Sequence, residues 1–206
     1  MKITRSVFDA EIELRSDGEG GEKKSLRGYA AKFDSLSVPL FGFREKIKRG
    51  AFKESLKDNN VRALWNHNTD IVLGSTKNGT LRLEEDDKGL RFDLDLPETQ
   101  AGRDAAITVS RGDVEGMSFA FGVQKEEWDE SDPKDVIRTL IKLDLHEVSP
   151  TAFPAYTKTS VVARSVKDDY EDYTEKRNKE EENKQAIINN LKLKQQHLTI
   201  LSKEML

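Results

Sequence analysis

Three short segments carry side chains able to do nucleophilic chemistry: Ser118, His67 and the adjacent pair His146-Glu147. Cysteine is absent, which excludes thiolate nucleophiles, disulfides and thiolate metal sites. A serine hydroxyl is a weak nucleophile until a neutral imidazole takes its proton. The imidazole needs an acceptor behind it to fix its tautomer and stabilise its charged form. Donors must also meet the oxyanion that develops on an attacked carbonyl. Ser118, His67 and one of His146 or Glu147 supply the first two requirements of amide hydrolysis. Chain order does not decide the matter, because the same geometry recurs in unrelated orders. Each residue also fits a plainer role, a strand serine that fills space or a hydrogen-bonded structural histidine. The third histidine, His197, falls in the tail and reads as a surface residue. Three scattered histidines without a helical pair make a poor zinc site, so neither metal nor cofactor is expected.

The elements must deliver these groups to one place. Ser118 follows a glycine turn at Gly112-Asp113, with Gly116 close behind, and lies in an apolar strand from Met117 to Val123. Side chains alternate along a strand, so Ser118, Ala120 and Gly122 share one face and Met117, Phe119, Phe121 and Val123 the other. The large residues make a core face, and the small ones leave room above the serine. His67 stands between two asparagines at the end of the apolar strand Val61–Trp65. His146 and Glu147 end the strand Ile137–Leu145, and as neighbours only one of them should face a shared site.

The remaining pattern is mainly strand, giving an α+β expectation. Ile3–Leu14, Leu26–Phe33, Phe43–Ile47, Ile71–Ser75, Thr80–Glu84 and Leu90–Leu96 read as strands. Asn78-Gly79 is a strong hairpin signal and Asp86-Asp87-Lys88-Gly89 a second turn, the grammar of an antiparallel meander. Arg49-Gly50-Ala51-Phe52 opens a helix to about Lys57, and Thr99 caps a helix from about Gln100 to Ser110. Glu126–Val136 reads as an acidic loop.

Residues 1–164 form the dense domain. Residues 165–185 are almost wholly polar and cannot bury enough apolar area to fold alone, so they read as a linker or a solvated helix. Residues 186–206 form an amphipathic helix, with Leu191, Leu198 and Met205 recurring every seven residues beside Ile187 and Leu201. A net charge of −4, with acids and bases interspersed, gives nucleic-acid binding no support. The N-terminus lacks the apolar run of a signal peptide, and no stretch approaches a membrane span. These features point to a soluble intracellular protein.

Several motifs stand in a telling order: Arg49-Gly50-Ala51-Phe52, Trp65-Asn66-His67-Asn68 with Leu73-Gly74, Gly89-Leu90-Arg91-Phe92 and Arg111-Gly112-Asp113. Gly116-Met117-Ser118-Phe119-Ala120-Phe121, Leu145-His146-Glu147-Val148-Ser149-Pro150 and Phe153-Pro154-Ala155-Tyr156 follow. Over roughly residues 1–163 this series resembles the tailed-bacteriophage prohead (capsid maturation) serine proteases, themselves distantly similar to the herpesvirus assemblins. The resemblance implies an antiparallel β-barrel flanked by a few helices, here with a C-terminal helical tail.

It also implies that Ser118 is the nucleophile and His67 the general base. The family motif has an acid where Glu147 stands, which favours Glu147 as third member. The herpesvirus relatives use a second histidine, which makes His146 the alternative. By the same resemblance the protein is a serine endopeptidase, made in the host cytoplasm and packaged in the procapsid interior. Its partners would be the major capsid protein and its scaffolding segment, which it cuts. Self-cleavage would accompany this; self-association stays an open alternative, because the dimeric herpesvirus relatives are too distant to carry it over. A non-catalytic scaffold or capsid-binding protein retaining the fold is the competing expectation; intact Ser118 and His67 and the acid at 147 argue against it.

Overall fold

The computed structural model describes residues 4–6, 11–17, 23–37, 39–40, 42–58, 60–152 and 160–204. The expected Phe153–Tyr156 motif lies outside them. The chain divides into two units, Met1–Val166 and Lys167–Leu206.

The strands are β1 (Thr4–Ser6), β2 (Glu11–Asp17), β3 (Lys23–Lys32), β4 (Phe43–Ile47), β5 (Arg62–Trp65), β6 (Asn68–Ser75), β7 (Leu81–Glu85), β8 (Gly89–Asp95), β9 (Gly116–Asp129) and β10 (Val136–Thr151). Helix α1 spans Gln100–Ser110 and α2 spans Ser160–Glu204. Two sheets result. One runs β1-β9-β10-β5-β6, with β4 also pairing β10; the other runs β2-β3-β8-β7.

The fold is α+β and mainly strand, but no closed barrel forms among the described residues. The chain changes sheet where a barrel would continue. The expected first strand is divided, β1 pairing β9 and β2 pairing β3. The Asn78-Gly79 turn joins β6 of one sheet to β7 of the other and so closes no hairpin. Its side chains build a corner: Asn78 Oδ1 accepts from Ser75 Oγ at 3.0 Å and from Thr80 Oγ1 at 2.8 Å. Gly74 lies at the same corner because a Cβ there would stand 2.6 Å from Leu94 Cδ1 of the other sheet.

Nor is the first sheet purely antiparallel. β4 and β5 both run parallel to β10, with Phe43–Ile47 against Val136–Leu140 and Arg62-Ala63 against Glu147-Val148. The expected helix after Arg49 is reduced to turns and a 3₁₀ segment at Ser55–Asp58. Its backbone groups are engaged elsewhere: the Ala51 carbonyl accepts from Leu143 N–H at 2.9 Å, and Phe52 N–H donates to Glu85 Oε1 at 2.8 Å. The acidic loop is also shorter than expected, since β9 continues to Asp129 and pairs Glu126 with Leu140 and Trp128 with Arg138. There Arg138, almost fully buried, donates to Glu126 and Glu45.

α1 begins where Thr99 Oγ1 accepts from Gly102 N–H at 3.3 Å, an N-cap of the expected kind. α2 is a single helix in which residues 165–185 continue into 186–204 without a break. On it Ile187, Ile188, Leu191 and Leu193 are exposed.

Residues of both sheets share one hydrophobic cluster, including Leu26, Phe92 and Leu94 from one and Phe119, Phe121, Leu143 and Val148 from the other. Phe119 sits between Phe52 and Phe121, with ring centroids 5.6 and 5.2 Å away. Each such fully buried side chain contributes about 1.5–3 kcal/mol. The cluster fixes the core face of β9 and leaves Ser118 on the opposite face.

Candidate active site

β5 and β6 form a hairpin in which Trp65 pairs with Asn68, so Asn66 and His67 alone make the turn. Both have positive φ, 50° and 59°. Two-residue turns with both φ positive match the twist of the flanking strands. Asparagine adopts this conformation readily; a histidine there is less common, and such backbone strain costs of order 1–3 kcal/mol. The end of β10 holds the turn in place. Asn66 N–H donates to the Pro150 carbonyl at 3.0 Å, and Asn66 Oδ1 accepts from Thr151 Oγ1 at 2.9 Å. His67 N–H donates to Ser149 Oγ at 3.2 Å.

The same strand supplies the acid. Leu143, Leu145 and Val148 of β10 all belong to the core. Plain alternation would put Leu145 and Val148 on opposite faces. A register shift between Leu145 and Glu147 resolves this, leaving His146 without a Cα partner on β9. Such a bulge inserts one residue and re-aims those that follow. Beyond it Glu147 pairs with Ala120 and Ser149 with Ser118. Residues directly opposite in an antiparallel pair share a face, so Ser118, Ala120, Glu147 and Ser149 stand together on the face away from Phe119.

The two segments meet at His67. Its Nδ1 forms a short contact with Glu147 Oε1, with both side chains largely withdrawn from solvent. The other carboxylate oxygen, Oε2, accepts from Ser149 Oγ at 2.5 Å. Ser118 is 1% exposed. His146 is half-buried, and its Nε2 has no hydrogen-bond partner among the described residues. The His67 ring therefore contacts Glu147, and the fold brings Ser118, His67 and Glu147 to one region. His197 lies in α2, with its side chain outside the described residues. Among the described residues no cluster of three or more acids or histidines has the geometry of a metal site, and no helix is long and apolar enough to cross a membrane.

The residues around the pair were not singled out by sequence reading. Ser149 and Thr151 lie within β10, which runs past the strand end expected at Leu145. The signal was present in the period-2 run Glu147-x-Ser149-x-Thr151. It reads as a polar face only once the strand is extended through Pro150.

Residues 10–176 match the model of the family described as caudovirus prohead serine protease. This chain belongs to that family. It is 29% identical over 164 residues to the prohead protease of Enterobacteria phage HK97, a match covering 78% of this chain and 67% of that protein. Among solved structures, the capsid assembly protease of bacteriophage T4 aligns over 73% of this chain and 99% of its own, at 8% identity and a TM-score of 0.39. Membership of the family makes the chain a serine protease of phage head maturation.

Proposed function

We propose that Ser118, His67 and Glu147 form the catalytic triad of this prohead protease. The observation that carries the assignment is the contact between His67 Nδ1 and Glu147 Oε1, made by residues eighty positions apart. With Nδ1 engaged by the carboxylate, Nε2 is the nitrogen left to accept a proton. Ser118 Oγ attacks the scissile carbonyl while His67 Nε2 takes the hydroxyl proton. The tetrahedral intermediate collapses as the imidazolium returns that proton to the departing amine. Water, deprotonated by the same nitrogen, then releases the acyl group and restores Ser118. Glu147 holds the tautomer and stabilises the imidazolium. In this reading His146 takes no part, since His67 Nδ1 already has its acceptor.

The substrate in this reading is the scaffolding segment of the major capsid protein, cut inside the procapsid, and the protease also cuts itself. The catalytic domain is residues 1–164, and the tail of 165–206 serves packaging. Intact-mass analysis of the wild type and Ser118→Ala, incubated alone and with the cognate capsid protein, tests the proposal. Fragments from the wild type and none from the variant are expected. The same fragments in both would reassign the nucleophile, and a capsid protein left whole by an active enzyme would reject the substrate.

A further inference from the structure

We propose that Ser149 is a positioning residue, locking the His67–Glu147 pair through its acid and its base at once; the inference rests on the triad reading. A glutamate carboxylate turns about a broad terminal torsion, so one contact from Oε1 does not fix its plane against an imidazole. Ser149 Oγ supplies the second contact, on Oε2 at 2.5 Å. The same oxygen accepts the backbone N–H of His67 at 3.2 Å. A carboxylate can only accept, so the serine proton goes to Glu147. A lone pair is then left for the N–H of His67, in the positive-φ turn. One atom thus ties the plane of the acid to the backbone of the base, and Ser149 itself is fully buried.

The arrangement also separates the roles of two neighbouring serines. Ser118 and Ser149 are Cα partners on adjoining strands. The Ser149 proton is committed to a carboxylate, so this hydroxyl holds the pair and does not attack. Alanine at 149 would leave Oε2 and the His67 N–H without this partner. Threonine keeps the hydroxyl and suits a strand.

Two measurements on the full-length chain test this. The first follows the far-downfield proton resonance of His67 Nδ1–H by NMR, assigned by its loss in His67→Gln. It needs no substrate. The second is the rate of labelling by a fluorophosphonate, with the modified serine located by peptide mapping. In the wild type the resonance is expected and the label falls on Ser118. In Ser149→Ala the resonance broadens into solvent exchange, and labelling of Ser118 slows about ten- to hundredfold, the effect of losing a hydrogen bond to a charged group. Ser149→Thr restores both. An unchanged resonance and labelling rate in Ser149→Ala would overturn the proposal, as would a wild type without the resonance or with the label on Ser149. A resonance that responds to Ser149→Ala in a protein whose Ser118 resists labelling would instead reject the triad reading and leave the positioning role standing.

Discussion

Glu147 and Ala120 are Cα partners across β10 and β9, two positions along the ladder from Ser149 and Ser118, so four small or polar side chains leave the sheet on one face. Everything proposed for the site depends on the bulge at His146 that sets this register.

The choice between Glu147 and His146 has a direct test. Glu147→Gln keeps the shape of the side chain but removes the charge that stabilises the imidazolium and holds its tautomer. Cleavage should fall by about 10²–10⁴-fold, as for comparable changes in other triads. His146→Ala should stay within a few-fold of wild type, because the imidazole it removes touches no member of the proposed triad by a hydrogen bond. Single-turnover cleavage of capsid protein by each variant gives the comparison; a dead His146→Ala beside an active Glu147→Gln would reverse the assignment.

The hairpin tip should be sensitive to backbone chemistry. Asn66→Val places a β-branched residue at a φ of 50° and removes the acceptor of Thr151 Oγ1. A loss of about 1–3 kcal/mol is expected. Asn66→Gly tolerates the φ and should cost less. Urea unfolding of both variants separates the conformational cost from the lost hydrogen bond.

Next to Ser118, the proposed nucleophile, Phe119→Ala removes a fully buried ring packed on Phe52 and Phe121. Such truncations cost about 3–5 kcal/mol. Because Phe119 and Ser118 are consecutive on β9, activity should fall along with the urea midpoint.

Two neighbouring acids at the β7–β8 turn should respond to pH in opposite senses. Burial pushes the Glu85 carboxyl above its ordinary value of 4.5, against the opposing effect of the Phe52 N–H. A raised acid contributes its stability in full below 4.5 and loses it as pH rises through the folded value. Asp86 is held below its ordinary value of 3.8, chiefly by the Tyr29 hydroxyl at 2.6 Å, against the effect of burial and with help from the Lys88 and Gly89 N–H groups. Its contribution is present above 3.8 and is lost as pH falls through the folded value. Glu85→Gln should therefore gain most in Tm at neutral pH, with the gain closing below 4.5. Asp86→Ala should lose most at neutral pH, with the loss closing in acid. Thermal unfolding from pH 3 to pH 7, with ~1-unit steps, reads both.

Local features were legible where one residue decides them. The alternation around Ser118 divides β9 into core and site faces, and Thr99 starts α1 at the expected residue. His67 was recognisable as a side chain delivered by a strand end. What sequence could not convey is pairing between distant strands. Nothing in Val61–Trp65 says that it will lie parallel to β10: β5 is short and pairs parallel only at Arg62-Ala63, too few residues to show the near-continuous apolar run of a parallel strand. The Asn78-Gly79 turn has hairpin chemistry, yet Ser75, Asn78 and Thr80 use it to cross between sheets. The bulge at His146 was hidden for a similar reason: an extra residue in a strand appears only when Leu145 and Val148 must both reach the core. For tail residues 165–185 the sequence left a linker and a solvated helix open, because too few apolar side chains mark a face; in α2 they are helical.

The parallel pairing of β5 with β10 also bears on biosynthesis. A chain emerging from the ribosome holds the hairpin that carries His67 long before Glu147 exists, and Glu147 arrives on β10, the last strand. Contacts of such wide sequence separation close late in folding. Incomplete chains therefore carry a histidine without its carboxylate and a serine without its partner strand. With the proposed triad, proteolytic competence would wait until translation has passed β10.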